Sequence, residues 1–478
     1  MWVGIRNSMA LQGRLLKHQR EGVKWLLGRE RANDYPGGFL CDEMGLGKTV
    51  QLVATMIANP LPRTLIIVPK SIVTQWQAEI AKFAPHMVVH LFDGPKRHLD
   101  STSQVTIAPY SVLAQRKGGP ICPLISVEWN RIILDEGHEI RNQKAKSTVA
   151  ARVLPSRIRW VVTGTPIFNS IRDFVTLGAF VGIPKSHIQC YTNDIRAKYL
   201  LRRTKQDCER FTLPPCDIET VELQMNIEEA QLYREVYRKS QETVEEIFAE
   251  GQANIHQMEL IECLLRVRQV MAWPQLYLDG MAIKDGGDPV AWTGGSVKIE
   301  TMMRMISEHP EEKTLVFGQF MGEMDEIHER LHAAGIPVYR IDGSIDTAKR
   351  AERIEQFQKS EAKPAPVFLI QIKAGGVGLN LQSATRVYIT CPAWNPATEL
   401  QAICRAHRNG QTAKVWVKKL IYAEVGGLPS IEQSIIELQG HKSAVCADVL
   451  KDERIRAQLP TTLKGGVTAR AVRKIFSV

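Results

Sequence analysis

The chain has 478 residues, 44% of them hydrophobic and 23% charged, more than one hydrophobic core usually organises, so two globular domains with insertions are expected. Apolar runs such as 65–68 and 367–370 are far too short for a membrane span, and residues 1–10 lack the apolar stretch of a secretory signal, so an intracellular setting without membrane contact is expected. Lys and Arg outnumber Asp and Glu by 61 to 51, a net charge of +10 that favours an anionic partner, and the nine cysteines contain no C-x-x-C pair, which argues against a disulfide framework or a zinc module.

Gln19, in the segment LLKHQREGVKWL at 15–26, is the first chemical candidate. Its amide suits paired hydrogen bonds to an adenine, and a plain helix-surface glutamine is the alternative. A short apolar run, Gly38-Phe39-Leu40-Cys41, then enters Asp42-Glu43-Met44-Gly45-Leu46-Gly47-Lys48-Thr49, followed by a helix-like stretch at 50–58. Strand, Gly-rich turn and helix point backbone N–H groups and a helix N-terminus at phosphate oxygens. Lys48 would reach the β and γ phosphates and the Thr49 hydroxyl would hold magnesium. Asp42 stands where the phosphate-loop pattern usually has its first glycine.

Short β-branched runs follow at 65–68, 105–108, 132–134 and 160–163, alternating with helical stretches, and read as buried parallel strands. The third ends in Asp135-Glu136-Gly137-His138, a strand leading into two acids. Such a pair suits a Mg-ATP site, with Asp135 holding the metal through water and Glu136 polarising the attacking water. Residues 228–270 are charged and helix-favouring, with Leu232, Val236, Val244 and Ile247 near helical spacing, and 280–295 are rich in Gly, Asp and Pro and read as a loop. Strand-like runs return at 315–317, 338–341, 367–370, 387–389 and 415–420. The predicted fold class is therefore α/β, with two lobes of parallel sheet flanked by helices. The predicted divisions are a first, ATP-binding lobe at 1–215, a helical insertion and linker at 216–295, a second lobe at 296–450 and a basic tail at 451–478. That tail carries seven Lys or Arg against two acids and reads either as a phosphate contact or as a solvated surface helix.

On these residues the chain resembles the SWI/SNF-like ATPase family of the helicase-like superfamily, over roughly 15–450. The motifs recur in order: LLKHQREGVKWL, DEMGLGKT, LIIVPKSIVTQW at 65–76, DEGH, VTGTPIFN at 162–169, LVFGQF at 315–320, AGGVGLNL at 374–381 and QAICRAHRNGQ at 401–411. The DEGH spelling resembles the branch of RING-bearing DNA-repair translocases and transcription-termination ATPases, where most relatives have Ala in place of Gly137, but no RING-like cysteine cluster lies between the lobes. The resemblance implies two RecA-like lobes and a motor on double-stranded DNA that remodels or displaces bound protein, either nucleosomes or other DNA-bound proteins, with the nucleus as the site. It assigns the nucleotide to Gln19, the 42–49 loop and Gly378, coupling to Thr163, Gly164, Thr165 and Gln401, and the arginine-finger segment to Arg405 and Arg408. Three apart on a helix, those two arginines would share one face. It places DNA contacts at Lys70, Ser71, Lys373, Gly375, Gly376, Trp394 and Asn395, where close backbone approach to phosphates fixes position without reading sequence. Gln371, Cys404, Phe168 and Met271-Ala272-Trp273 depart from the family pattern. ATP and Mg2+ are the expected cofactors. An RNA or DNA helicase with strand separation, and a nucleotide-gated DNA-binding scaffold, are the competing readings.

Overall fold

A computed structural model describes residues 11–114, 122–164, 171–190, 192–208, 213–253, 255–374, 379–408, 410–450, 469–476 and 478. Thr165, Gly375, Gly376 and Gly378 lie outside the described residues, as does the 451–468 part of the predicted basic tail. The chain forms two compact units, which divide between Thr212 and Leu213 apart from a short stretch near 450.

The first unit is built on a seven-stranded sheet comprising β1 (Gly37–Leu40), β2 (Thr64–Val68), β3 (Val89–Leu91), β4 (Val105–Pro109), β5 (Trp129–Asp135), β6 (Ser156–Val162) and β7 (Leu200–Leu201). The order is β3-β4-β2-β5-β6-β1-β7 and every pairing is parallel. Strands covered on both faces need apolar residues at successive positions rather than at alternate ones. Accordingly every residue of β1, β2 and β4 is buried. Because β5, β6 and β1 are neighbours running the same way, their carboxyl ends open along one edge of the sheet.

The second unit holds a six-stranded parallel sheet of β8 (Cys216–Leu223), β9 (Thr314–Gly318), β10 (Val338–Ile341), β11 (Val367–Gln371), β12 (Arg386–Ile389) and β13 (Val415–Tyr422), in the order β10-β11-β9-β12-β13-β8. Successive strand side chains point to opposite faces. Leu315, Phe317, Phe368, Ile370, Val387 and Ile389 fill one core, while Val316, Val367, Leu369 and Tyr388 fill the other. The fold class is thus the α/β one that the periodicity predicts, two lobes of parallel sheet flanked by helices.

The interval 216–295, read as a helical insertion, opens instead with a strand of the second sheet, β8, whose eight residues pair with β13 from Cys216↔Val415 to Leu223↔Tyr422. Its acids Asp217, Glu219 and Glu222 reflect an edge position, where Lys414, just before β13, and Lys418 on it pair with Asp217 and Glu219. Two helices follow, Ile227–Ala249 and Gln257–Ala272, and bury Tyr233, Val236, Tyr237, Val244, Leu260, Leu264 and Val267 against each other. A further helix, Gln275–Asp285, occupies the start of the stretch read as a loop. The chain's last helix, Ala469–Ile475, belongs to the same core: Val472, Ile475 and Phe476 are buried there, and Tyr237 packs its ring 5.2 Å from Phe476 and donates its hydroxyl hydrogen to the Ile475 carbonyl. That end of the predicted basic tail is therefore anchored by apolar contacts.

A buried ion pair clamps the first unit. Arg131, at the start of β5, donates from Nε and Nη2 to the two carboxylate oxygens of Glu30, each at 2.6 Å, and Trp160 Nε1 and Asn59 Nδ2 add bonds of 3.0 and 2.6 Å. Both charged side chains are almost wholly buried, so losing one partner strands the other. Arg131→Met is expected to cost about 3–5 kcal/mol of stability, read as a lower urea midpoint, and adding Glu30→Gln should recover much of that loss by removing the stranded charge.

Candidate functional site

The 42–49 loop lies between β1 and the helix Lys48–Ala58. Gly45 (φ 95°) and Gly47 (φ 76°) are left-handed, a conformation open to glycine without strain, and a side chain on Gly47 would collide with Gln19 Nε2 at 2.5 Å. The turn leaves the N-terminus of the Lys48 helix at the carboxyl edge of the sheet, with Thr49 in its first turn. Lys48 folds its ammonium back over the loop and donates to the Asp42 carbonyl at 2.9 Å.

Asp42, the residue that departs from the glycine pattern, is fully buried and turned into the protein. Its Oδ1 accepts from the Arg203 backbone N–H (3.1 Å) and Nε (3.0 Å), and its Oδ2 from Arg203 Nη2 and from Gln51 Nε2 (3.0 Å). The side chain expected among the nucleotide contacts is thus a loop anchor, since a carboxylate aimed at phosphate would repel it. Gln19 is likewise engaged within the protein. Its Oε1 accepts from the Leu16 N–H at the start of its own helix, and its Nε2 donates to the Leu46 carbonyl at 3.3 Å. That carbonyl also faces His18 Nε2 at 3.1 Å, and burial holds the His18 imidazole below its ordinary pKa.

At the end of β5, Asp135 receives Trp76 Nε1 on Oδ2 at 2.7 Å and the Glu136 N–H on Oδ1 at 2.9 Å, while Tyr110 donates to its carbonyl at 2.9 Å. Burial, then the neighbouring Glu136 charge, push the Asp135 carboxyl up to about 6. A buried acid with raised pKa beside a second acid favours a cation at that place. Glu136 has φ 47°, a left-handed backbone that costs about 1–3 kcal/mol for a residue with a side chain. Its Oε2 lies 3.3 Å from His138 Nδ1, which lies 3.5 Å from Thr163 Oγ1. The acidic pair is therefore linked through His138 to Thr163, after β6. Gly164, next in that segment, abuts the loop, and a Cβ there would meet Met44 at 3.1 Å.

The structure thus brings together the 42–49 loop, Asp135, Glu136, Thr163 and Gly164 at one edge of one sheet. Glycines in the left-handed region, a lysine over the loop and a cation-seeking carboxyl pair fit a nucleotide with its divalent metal, for which Thr49 and Asp135 are candidate side chains. Three residues of this site escaped the sequence reading. Trp76 stood inside a quoted motif without a role, and Arg203 and Lys205 lie in the basic run Arg202-Arg203-Thr204-Lys205, whose position beside the loop needs the fold to be seen. Lys70 is exposed after β2, and Ser71 is half-buried beside it.

In the second unit Lys373 is exposed after β11. Trp394 is half-buried and packs on the helical core with the Arg268 guanidinium 5.4 Å from its ring, while Arg268 donates to the Pro392 carbonyl. Asn395 caps the helix Pro396–Ala406 by accepting from the Ala397 N–H at 3.1 Å. Gln401 and Arg405 lie on that helix, half-buried. Arg408 does not. The helix ends at Ala406, so the two arginines do not share one helical face, and Arg408 instead sits in the turn that follows, donating to the Leu379 carbonyl at 3.3 Å. Buried Gln411 fixes that turn by donating to the carbonyls of Gln382, Ala384 and Ala406 and accepting from the Thr412 and Ala413 N–H groups.

Two outcomes follow from this geometry. A Cβ on Gly137 would lie 2.6 Å from Val161 Cγ1, so Gly137→Ala is expected to lower the melting temperature by about 1–3 kcal/mol of overpacking, and Val161→Ala in the same chain should return part of it. For Asp135 the folded pKa of about 6 lies above the ordinary 3.8. The fold holds that proton more tightly than the unfolded chain, and ionisation lowers stability progressively between about pH 4 and pH 6. Without nucleotide, Asp135→Asn should therefore melt higher than the parent at pH 7.5 and lose that advantage at pH 4.

The SNF2-related domain model matches residues 18–196 and 185–276, and the helicase conserved C-terminal domain model matches 297–410. A "Probable global transactivator" of Orgyia pseudotsugata multicapsid polyhedrosis virus is 29% identical over 86% of this chain and 86% of its own length. A "Putative ATP-dependent helicase/translocase YwqA" of Bacillus subtilis is 30% identical over 95% of this chain, and the "ISWI chromatin-remodeling complex ATPase ISW1" of Saccharomyces cerevisiae is 27% identical over 94%. The chain spans 50% and 42% of the length of those two. Among solved structures, the Sulfolobus solfataricus SWI2/SNF2 ATPase core in complex with dsDNA aligns over 98% of this chain and 97% of its own, at 24% identity and a TM-score of 0.42. With family models matched across well over half of its length, the chain belongs to the SNF2-related family of helicase-like ATPases.

Proposed function

We propose that this protein is an ATP-dependent translocase on double-stranded DNA that remodels or displaces DNA-bound protein. The observation that carries the reading is a nucleotide site whose polar groups are already gathered, in a chain whose relatives, matched over 95% and 94% of this chain, include a named helicase/translocase and a named chromatin-remodelling ATPase. The net charge of +10 adds to it, since a basic protein suits a phosphate backbone.

On this reading the backbone N–H groups after Glu43 in the loop, with Lys48, bind the phosphate chain, and Thr49 and Asp135 hold Mg2+, which offsets the charge on the phosphates. Lys48 exchanges the Asp42 carbonyl for a phosphate oxygen. Glu136, fixed in its left-handed turn, orients the attacking water, and His138 and Thr163 relay its state to the segment after β6. Arg405 and Arg408, supplied by the second unit, stabilise negative charge in the transition state. Lys70, Ser71, Lys373, Trp394 and Asn395, with Gly375 and Gly376, are assigned to the DNA backbone. Trp394 and Asn395 act chiefly by shaping the turn after β12, the one through its packing on Arg268 and the other as a helix cap.

Steady-state ATPase measured without nucleic acid and with duplex DNA, single-stranded DNA or structured RNA, each over a salt series, tests the proposal. Strong stimulation by duplex DNA that weakens as salt rises is expected. Stimulation confined to RNA or single strands would overturn the track assignment in favour of a helicase. Arg408→Ala should retain nucleotide binding and lose about 10³-fold or more of stimulated turnover, and normal turnover in that variant would remove Arg408 from the machinery.

A further inference from the structure

The segment after β7 is stitched to the phosphate loop along its whole length. The Cys41 N–H donates to the Leu201 carbonyl at 2.7 Å and the Glu43 N–H to the Arg203 carbonyl at 2.8 Å, while Arg202 Nη1 reaches the carbonyls of Cys41 and Gly164 at 3.2 and 3.3 Å. Two of its cations have structural partners of good geometry: Arg203 on buried Asp42, and Arg202 on two carbonyls. The third, Lys205, is held differently. Its backbone N–H donates to Glu43 Oε2 at 2.9 Å, which fixes its place, but its ammonium stands 3.6 Å from Glu43 Oε1. Charge-assisted bonds close to about 2.7–2.9 Å, so this contact is loose, and both side chains retain some solvent exposure. Such a pair contributes about 1 kcal/mol or less.

The Lys205 stem also passes the tip of the loop, with Cε 3.5 Å from where a Cβ on Gly45 would stand. Two ammonium groups therefore border the loop: Lys48, resting on the Asp42 carbonyl, and Lys205, resting on Glu43. A phosphate chain carrying several negative charges outcompetes a single half-exposed carboxylate for a nearby ammonium. We propose that Lys205 is a second nucleotide-binding cation, which leaves Glu43 for the phosphate chain of the bound nucleotide. This rests on the reading of the 42–49 loop as the nucleotide site. Glu43 then acts as a competitor that parks Lys205 when the loop is empty, rather than as a nucleotide contact.

Equilibrium binding of a fluorescent ADP in the presence of Mg2+, measured on the full chain without DNA, separates this from a static brace because the two ideas predict opposite signs at Glu43. Lys205→Gln is expected to weaken binding about tenfold, with Lys205→Arg retaining it. Glu43→Gln keeps an oxygen to accept the Lys205 N–H and removes only the competing charge, so it should bind at least as tightly as the parent. If Glu43→Gln weakens binding as much as Lys205→Gln, and the double variant is no worse than either, the pair is a brace and the proposal falls. Thermal melts accompany each variant. Should Lys205→Gln melt early, Lys205→Met, which keeps the stem packed on Gly45, takes its place, and parental affinity in that variant overturns the proposal. Failure of the parent to bind the probe, with Lys48→Ala no different, would overturn the nucleotide reading itself.

Discussion

The geometry of the site depends first on one buried carboxylate, that of Asp42. A phosphate loop needs backbone N–H groups for its ligand, so side chains must carry much of the work of fixing it. Here Asp42 does this by taking bonds from Arg203 and Gln51 while its carbonyl supports Lys48. The arrangement constrains its surroundings. Gly22, on the helix that carries Gln19, has no space for a side chain, since a Cβ there would fall 1.9 Å from Gln51 Oε1 and 2.7 Å from Arg203 Nη2. A buried charge that lost Arg203 would be left uncompensated in a low dielectric, so the loop, the Gln19 helix and the segment after β7 must form together.

Parallel topology supplies the second constraint. With β5, β6 and β1 adjacent and running the same way, residues distant in sequence, Lys48, Asp135 and Thr163, arrive at one sheet edge without any long loop having to find its place. The second unit repeats the device, and the turns after β9, β11 and β12 emerge along one edge of its own sheet. There the buried groups are again satisfied rather than merely enclosed. Lys298 Nζ meets Glu432 at 2.6 Å, and the Tyr422 hydroxyl donates to Glu229 while receiving the Lys298 N–H. This network joins β13 to the helices that follow β8, which is why that helical stretch packs as part of the second unit.

The sheets and the centre of the site were legible in the sequence because their signals are local. Runs such as 65–68 and 367–370 can only be strands covered on both faces, and DEMGLGKT and DEGH each follow a strand directly. What escaped depends on long-range pairing. β8 mixes acids with apolar residues and looks like neither a buried strand nor an amphipathic helix until Lys414 and Lys418 stand beside it. Arg203 and Lys205 are an ordinary basic run until β7 places them against a loop about 160 residues earlier. The shared face assumed for Arg405 and Arg408 failed for a local reason: the helix stops at Ala406 because Gln411 captures that residue's carbonyl and binds the turn in place of another helical turn.

Charge balance at the catalytic edge completes the argument. Without nucleotide, the site holds a loop lysine and Lys205 on one side and two adjacent carboxyls on the other, and each side is only partly compensated by the protein: Lys48 by a neutral carbonyl, Lys205 by a loose ion pair, Asp135 by an indole N–H and a peptide N–H. Burial and the adjacent Glu136 charge raise the Asp135 carboxyl to about 6, so the two neighbouring acids oppose one another's ionisation. A ligand that is itself anion and cation together, a phosphate chain with its divalent metal, relieves both sides at once. The strained turn at Glu136 lies beside the same edge and is connected through His138 to Thr163, so the ends of β5 and β6 are linked by polar contacts within the first unit.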